Sequence, residues 1–179
     1  MMKMKRILIV VDMQNDFVDG SLGSEAARLI VPDVVKKING FDGDDVFVTY
    51  DTHYDNYMST LEGKKLPVPH CIDGTYGHEL NAEVNASLKG KNRTDIIKTT
   101  FGTFEISRIL KEKYPGEEIE AEFLGLCTDI CVISNVLILR AAYPNAVIKI
   151  DPSCCAGVSE ATHKAALDAM SCCQIDIVK

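Results

Sequence analysis

Two cysteines stand four apart in the stretch GLCTDICV, residues 125–132, after an apolar run and ahead of a helical pattern. Thiols in such a place can form a disulfide, ligate a metal, act as a redox pair, pack as core or attack a substrate. Cys131 is the better placed of the two for attack. If Thr128 caps the helix, Cys131 falls in its first turn, where backbone N–H groups and the dipole favour a thiolate. An attacking thiol also needs a base and a counter-charge. Asp12, which follows the run Ile7–Val11, is a carboxylate able to take the proton, and Lys98 in IIKTT is an ammonium able to balance the charge. Each residue has an ordinary reading as well: the acid as a helix cap, the lysine as a snorkelling side chain, the cysteine as core. Spacing alone leaves the choice open.

These residues sit at corresponding places along an alternating pattern. RILIVV (6–11), DVFVTY (45–50), DIIKT (95–99), IEAEFLGL (119–126), AVIKI (146–150) and QIDIV (174–178) read as strands. Helical patterns run over about 25–39, 79–88, 104–113, 129–142 and 160–172, with Pro32 expected to delay or break the first of them. Unbroken apolar strands alternating with helices predict a three-layer α/β/α sandwich on a six-stranded, mainly parallel sheet, in one domain spanning residues 1–179. Sites in such sheets form beyond the carboxyl ends of the strands. There the sequence offers Asp12, Gln14, Asn15, Asp16 and Phe17 after the first strand, Asp51 and His53 after the second, Lys98 at the end of the third, and Cys127 to Cys131 after the fourth.

Composition narrows the partners. The net charge of −7, from 19 basic against 26 acidic residues and without a basic cluster, argues against nucleic acid and anionic membrane. The apolar run near the start ends at Asp12, too short for a signal peptide core or a membrane span, so the expected location is the cytoplasm. Seven cysteines, an odd number with two adjacent pairs (Cys154–Cys155 and Cys172–Cys173) and no C-x-x-C, do not read as a disulfide framework. Most are expected to be small buried side chains.

Four segments, ILIVVDMQNDFV, IIKTTFGTF, GLCTDICV and DPSCCAGVSEATHKAAL, resemble in that order those of the isochorismatase-like cysteine hydrolases. The resemblance implies an Asp–Lys–Cys catalytic triad at Asp12, Lys98 and Cys131. It also implies a cis peptide at Leu126–Cys127, with the backbone N–H groups of Cys127 and Cys131 forming an oxyanion hole. Members that cleave a vinyl ether lack the cysteine, so Cys131 implies hydrolysis of an amide or related C–N bond.

The long polar segment over 53–78 resembles the metal loop of the nicotinamidase (pyrazinamidase) branch, in which D-x-H is followed by a later Pro–His–Cys. Carried over, Asp51, His53 and His70 are the metal ligands and Glu62 a weaker fourth, for one divalent transition ion, Zn first and Fe or Mn next. Two features depart from that branch: the loop approaches His70 through LPVP, and the chain contains no tryptophan. Phe17, with Phe101 or Tyr57, is left to wall the substrate pocket. Gln14 is assigned to that pocket too, and Gln14 and Asp16 also to holding the loop that orients Asp12. His78 and His163 read as structural.

The resulting expectation is a metal-dependent amidohydrolase converting nicotinamide to nicotinate and ammonia in NAD salvage. Its rivals are a hydrolase of another small amide or carbamoyl compound, a thiol redox switch on Cys127 and Cys131, and a non-catalytic metal-binding module. The expected partner is a small amide. A homo-oligomer is compatible with the resemblance, and the fold does not choose its size.

Overall fold

Ile7, Leu8, Ile9, Val10 and Val11 are all buried, which is what an unbroken apolar strand requires when helices cover both faces of its sheet. The structure is a computed structural model that describes residues 4–178. Its strands are β1 (Met4–Val11), β2 (Asp45–Asp51), β3 (Arg93–Lys98), β4 (Glu118–Leu126), β5 (Val147–Ala156) and β6 (Asp176–Ile177). They form one six-stranded sheet in the order β3-β2-β1-β4-β5-β6, with every pair parallel. The helices are α1 (Asn15–Val18), α2 (Glu25–Gly40), α3 (Leu61–Lys65), α4 (Ala82–Ser87), α5 (Glu105–Lys113), α6 (Ile133–Ala142) and α7 (Glu160–Cys172). α2 packs with α4, whereas α5, α6 and α7 pack in succession with one another, so the two groups cover opposite faces. Among the described residues no helix is long and apolar enough to cross a membrane.

Strand order fixes the place where a site can form. From β1 the chain steps outward through β2 to β3, then returns to β4 on the other side of β1. The crevice between the carboxyl ends of β1 and β4 is therefore the switch point of the sheet. Register brings the ends level, with Val11 opposite both Thr49 and Gly125, and Asp51 opposite Lys98. Gly125 is required there: at φ 119° a side chain is strained, and a Cβ would lie 2.1 Å from the Val11 carbonyl oxygen.

Three elements differ from the pattern. α2 runs unbroken through Pro32, which faces solvent, while Ala27, Ile30, Val31, Val34 and Ile38 bury the opposite stripe. The missing Pro32 N–H frees the carbonyl of Arg28, itself exposed and open to water. β5 extends six residues beyond Ile150 because the Asp151 carboxylate takes the Ser153 N–H and hydroxyl, closing a bulge before pairing resumes at Cys155. Helix 79–88 is reduced to α4, whose start is set by the Asn81 side chain accepting from Glu83 and Val84.

Candidate active site

Four strand ends converge on one buried ammonium. Lys98 Nζ lies 2.7 Å from Asp12 Oδ2, 3.3 Å from Asp51 Oδ1 and 3.7 Å from Cys131 Sγ. All four residues are buried. Asp12 adopts φ 48°, a left-handed conformation that Asp tolerates better than most residues, and its N–H donates to the Thr49 carbonyl across the sheet. The Thr49 hydroxyl donates to Asp12 Oδ1 at 2.6 Å. Asp12 Oδ2, although ion-paired with Lys98, takes no well-directed hydrogen bond and so keeps a lone pair for another donor.

Burial sets the protonation states. It pushes the Asp12 carboxyl up against the opposing Lys98 charge, and it pushes the Cys131 thiol well up, with Asp12 adding to the shift and Lys98 opposing it. Burial also works to lower Lys98, but the Asp12, Cys131 and Asp51 charges outweigh it and hold the ammonium charged. Moving a proton from Cys131 to Asp12 therefore leaves the net charge of the buried group unchanged. That spares the large cost of creating a lone charge in a dry site.

Beside this group, Asp51, His53, Glu62 and His70 bring four ligand atoms within 4.8 Å of one another. Asp51 Oδ2 is 3.0 Å from His53 Nε2 and 3.5 Å from His70 Nε2, and Glu62 Oε1 is 3.6 and 3.7 Å from the same two nitrogens. An ion with bonds of about 2.1 Å holds adjacent ligand atoms roughly 3.0–3.4 Å apart, so the pairs at 3.0–3.7 Å lie near that spacing, and the wider pairs, within 4.8 Å, would draw in around an ion. Two imidazoles and two carboxylates suit Zn, Fe or Mn. His70 Nδ1 lies 2.8 Å from the Val68 carbonyl oxygen, which fixes the ring and turns Nε2 toward the cluster. Burial lowers the His70 pKa, but Asp51, the Val68 carbonyl and Glu62 outweigh it and leave it raised. For Asp51 the upward pull of burial loses to His53, His70 and Lys98, and its carboxyl is lowered. Asp51 thus joins the two groups, one oxygen toward the ammonium and the other toward the imidazoles.

The segment after β1 holds the long loop to the sheet. Gln14 was expected in the pocket; instead it lies fully buried outside the cavity lining, and its amide pairs with backbone. Its Nε2 donates to the carbonyls of Asp51 and His78, and its Oε1 accepts from the Asp51 N–H. Asn15 donates to the Tyr76 carbonyl, while Asp16 accepts from the N–H of Cys71, the residue after His70. Tyr57 does not line the cavity either: its ring packs edge-on against His53 and His70 from behind, and its hydroxyl donates to the Leu66 carbonyl. Gln14→Leu is expected to cost about 2–4 kcal/mol, because it removes three hydrogen bonds and leaves the Asp51 N–H buried without a partner. Urea unfolding measures this; a change below about 1 kcal/mol would show that the clamp is dispensable.

A wide, π-helical turn over Thr128–Val132 precedes α6. The Leu126–Cys127 peptide is cis, and the Cys127 carbonyl accepts from the N–H groups of Ile130 and Val132. Two supports of this turn carry no sequence signal of their own. Asn135, one turn into α6, donates to the carbonyls of Cys131 and Phe101 and accepts from the Thr103 N–H. His163 Nδ1 lies 2.8 Å from the Thr128 hydroxyl. His78, likewise, pairs with the Thr52 hydroxyl at 2.8 Å. A cavity of about 760 Å³ opens over Cys131, with Phe17, Phe101, Cys127, Asp51, Glu62 and His70 among its lining residues. The Phe17 ring is 5.5 Å from that of His70.

Residues 6–178 match the sequence model of the Isochorismatase domain family. The uncharacterized isochorismatase family protein PncA of Bacillus subtilis (strain 168) is 32% identical over 146 residues, covering 75% of this chain and 78% of that protein. The solved nicotinamidase/pyrazinamidase PncA from Bacillus subtilis superposes with a TM-score of 0.86 at 27% identity, covering 98% of this chain and 100% of that one. A pyrazinamidase of Pyrococcus horikoshii, solved in complex with zinc, gives a TM-score of 0.80 at 25% identity, covering 98% and 99%.

Proposed function

We propose that this chain, which belongs to the isochorismatase family, hydrolyses the C–N bond of a small carboxamide, with nicotinamide as substrate and nicotinate and ammonia as products. The observation that carries this reading is the meeting of a buried Asp12–Lys98–Cys131 group with the Asp51, His53, Glu62 and His70 cluster at one sheet edge. The nicotinamidase and pyrazinamidase neighbours support the choice of amide. We read residues 1–179 as one domain, acting in the cytoplasm in NAD salvage.

Asp12 Oδ2 accepts the Cys131 proton, and the thiolate, paired with the Lys98 ammonium, attacks the carboxamide carbon. The carbonyl oxygen takes the negative charge and is held by the N–H groups of Cys127 and Cys131. As the C–N bond breaks, protonated Asp12 gives its proton to the leaving nitrogen, releasing ammonia and leaving a thioester on Cys131. Asp12 then takes a proton from water, which attacks the thioester, and returns it to the sulfur as the acid departs. Lys98 stays charged throughout and offsets whichever anion is present. Asp51, His53, Glu62 and His70 would hold a divalent transition ion, zinc first, which when bound supplies a Lewis acid able to anchor a pyridine nitrogen.

A redox role is disfavoured by the Cys127 thiol. Burial, with Asp129 and Asp12, pushes it up to about 12, and the Lys98 charge that opposes the same rise at Cys131 does not act on it, so its thiolate lacks the counter-charge that Cys131 has. The deciding assay measures ammonia from a panel of amides and carbamoyl compounds. Nicotinamide should give one nicotinate per ammonia, and release from carbamoyl compounds with none from nicotinamide would replace this substrate.

A further inference from the structure

Nicotinamide does not fill the cavity. Its about nine heavy atoms take at most roughly 270 Å³ at the ~30 Å³ share of a liquid water, against a cavity of about 760 Å³. The surplus wall is apolar. Leu22, Ala27, Leu61, Leu66, Ile130 and Val158 line it, and the chain has no tryptophan to close it. Leu61 and Val158 stand 71% and 69% exposed along that wall, apolar surface that a ligand can cover. Of the charged lining residues, Asp51 and Glu62 belong to the ligand cluster, leaving Lys65, which is exposed at the end of α3. Leu22 and Ala27, before and within α2, and Val158, between β5 and α7, belong to segments that carry neither a ligand nor a triad residue, so this part of the wall bears on what fills the site.

We infer that the site takes aromatic carboxamides bearing an apolar substituent beyond the ring, with the carboxamide at Cys131 and the substituent against Leu22, Leu61 and Val158. This rests on the amidase reading and narrows its substrate class. The chemistry at Cys131 is unchanged: the same C–N bond breaks, water supplies the oxygen, and ammonia leaves. Covering a methylene completely multiplies kcat/KM by about fourfold, and a wall open on one side lowers that to roughly two- to threefold per methylene. A charged substituent gains nothing comparable, because the wall offers it no buried partner.

The test is kcat/KM for ammonia release from nicotinamide and from nicotinamides carrying methyl, ethyl, propyl and butyl groups at ring carbon 5 or 6. In one of the two series kcat/KM should climb by roughly two- to threefold per methylene through propyl. Val158→Asp and Leu61→Asp should flatten that climb, and both positions are exposed enough for the variants to fold. Flat or falling values in both series, with nicotinamide itself hydrolysed, would overturn the extended substrate and leave the amidase standing. A climb that both variants leave intact would overturn the assignment to this wall. No ammonia from any compound would overturn the amidase reading beneath it.

Discussion

Cys131→Ala is expected to lower kcat for ammonia release by about 10,000-fold or more, while Cys127→Ala keeps roughly a tenth or more of it. The contrast follows from what each residue offers. Cys131 Sγ is the atom beside the Lys98 ammonium, and no water can substitute for it in forming a thioester. Cys127 contributes its N–H in the proposed reaction, which alanine retains. Stability should move little in either case. Cys131→Ala removes one buried sulfur that accepts from the Lys98 ammonium at 3.7 Å, while the stronger pairings of Lys98 with Asp12 and Asp51 remain. Steady-state assays with thermal melts on both variants decide the matter. A folded Cys127→Ala as inactive as Cys131→Ala would undo the division of roles. Asp12→Asn serves as the companion: it should be nearly as inactive as Cys131→Ala, but less stable, since it removes one of the two carboxylates that compensate a buried ammonium.

Much of the frame was legible because parallel strands covered on both faces carry unbroken apolar runs. Ile7–Val11 and Val46–Val48 announce themselves in this way, and once the strands are parallel, Asp12, Asp51, Lys98 and the Cys127–Cys131 turn must share one edge. Gln14 and Asp16 were read from the sequence as holding a loop, but the distant backbone groups they pair with were not legible. Gln14 reaches carbonyls 37 and 64 residues away, and Asp16 an N–H 55 residues away. Amides and acids in loops can pair with many groups, so no local pattern names the partners. Asn135 reads as an ordinary helical residue until its amide is seen joining the Cys131 and Phe101 carbonyls. Pro32 misled for the opposite reason. A local rule against proline in helices gave way to five buried side chains on the far stripe of α2. The size of the cavity was equally hidden, since Leu22, Leu61 and Val158 are separated in sequence and meet only across the loops beyond the sheet.

Removing the metal is expected to cost stability as well as activity, and by an amount that grows with pH. Asp51, His53, Glu62 and His70 come from β2, the segment just after it, α3 and the loop beyond, so only the folded chain gathers them and an ion bound there stabilises the native state. With free metal at roughly a thousandfold its Kd the contribution is about 4 kcal/mol, or roughly 8–16 °C in the melting temperature of a chain this size. The pH dependence follows from His70. In the metal-free protein Asp51 and Glu62 hold its pKa above the ordinary value against the opposing effect of burial. A raised folded pKa means that protonated His70 stabilises the metal-free fold at pH values below the unfolded pKa, and that this is lost as pH rises through the folded pKa. The ion requires the neutral imidazole, so its contribution runs the other way. Chelation should therefore lower the melting temperature little near pH 5.5 and most near pH 8. His70→Ala and His53→Ala should each remove the bound transition metal seen by elemental analysis, together with amidase activity, and chelator should then have no effect on their melting. Equal chelation shifts at both pH values would mean that His70 is not a ligand. A metal-free protein that still hydrolyses nicotinamide would separate the Asp12–Lys98–Cys131 hydrolase from any need of an ion.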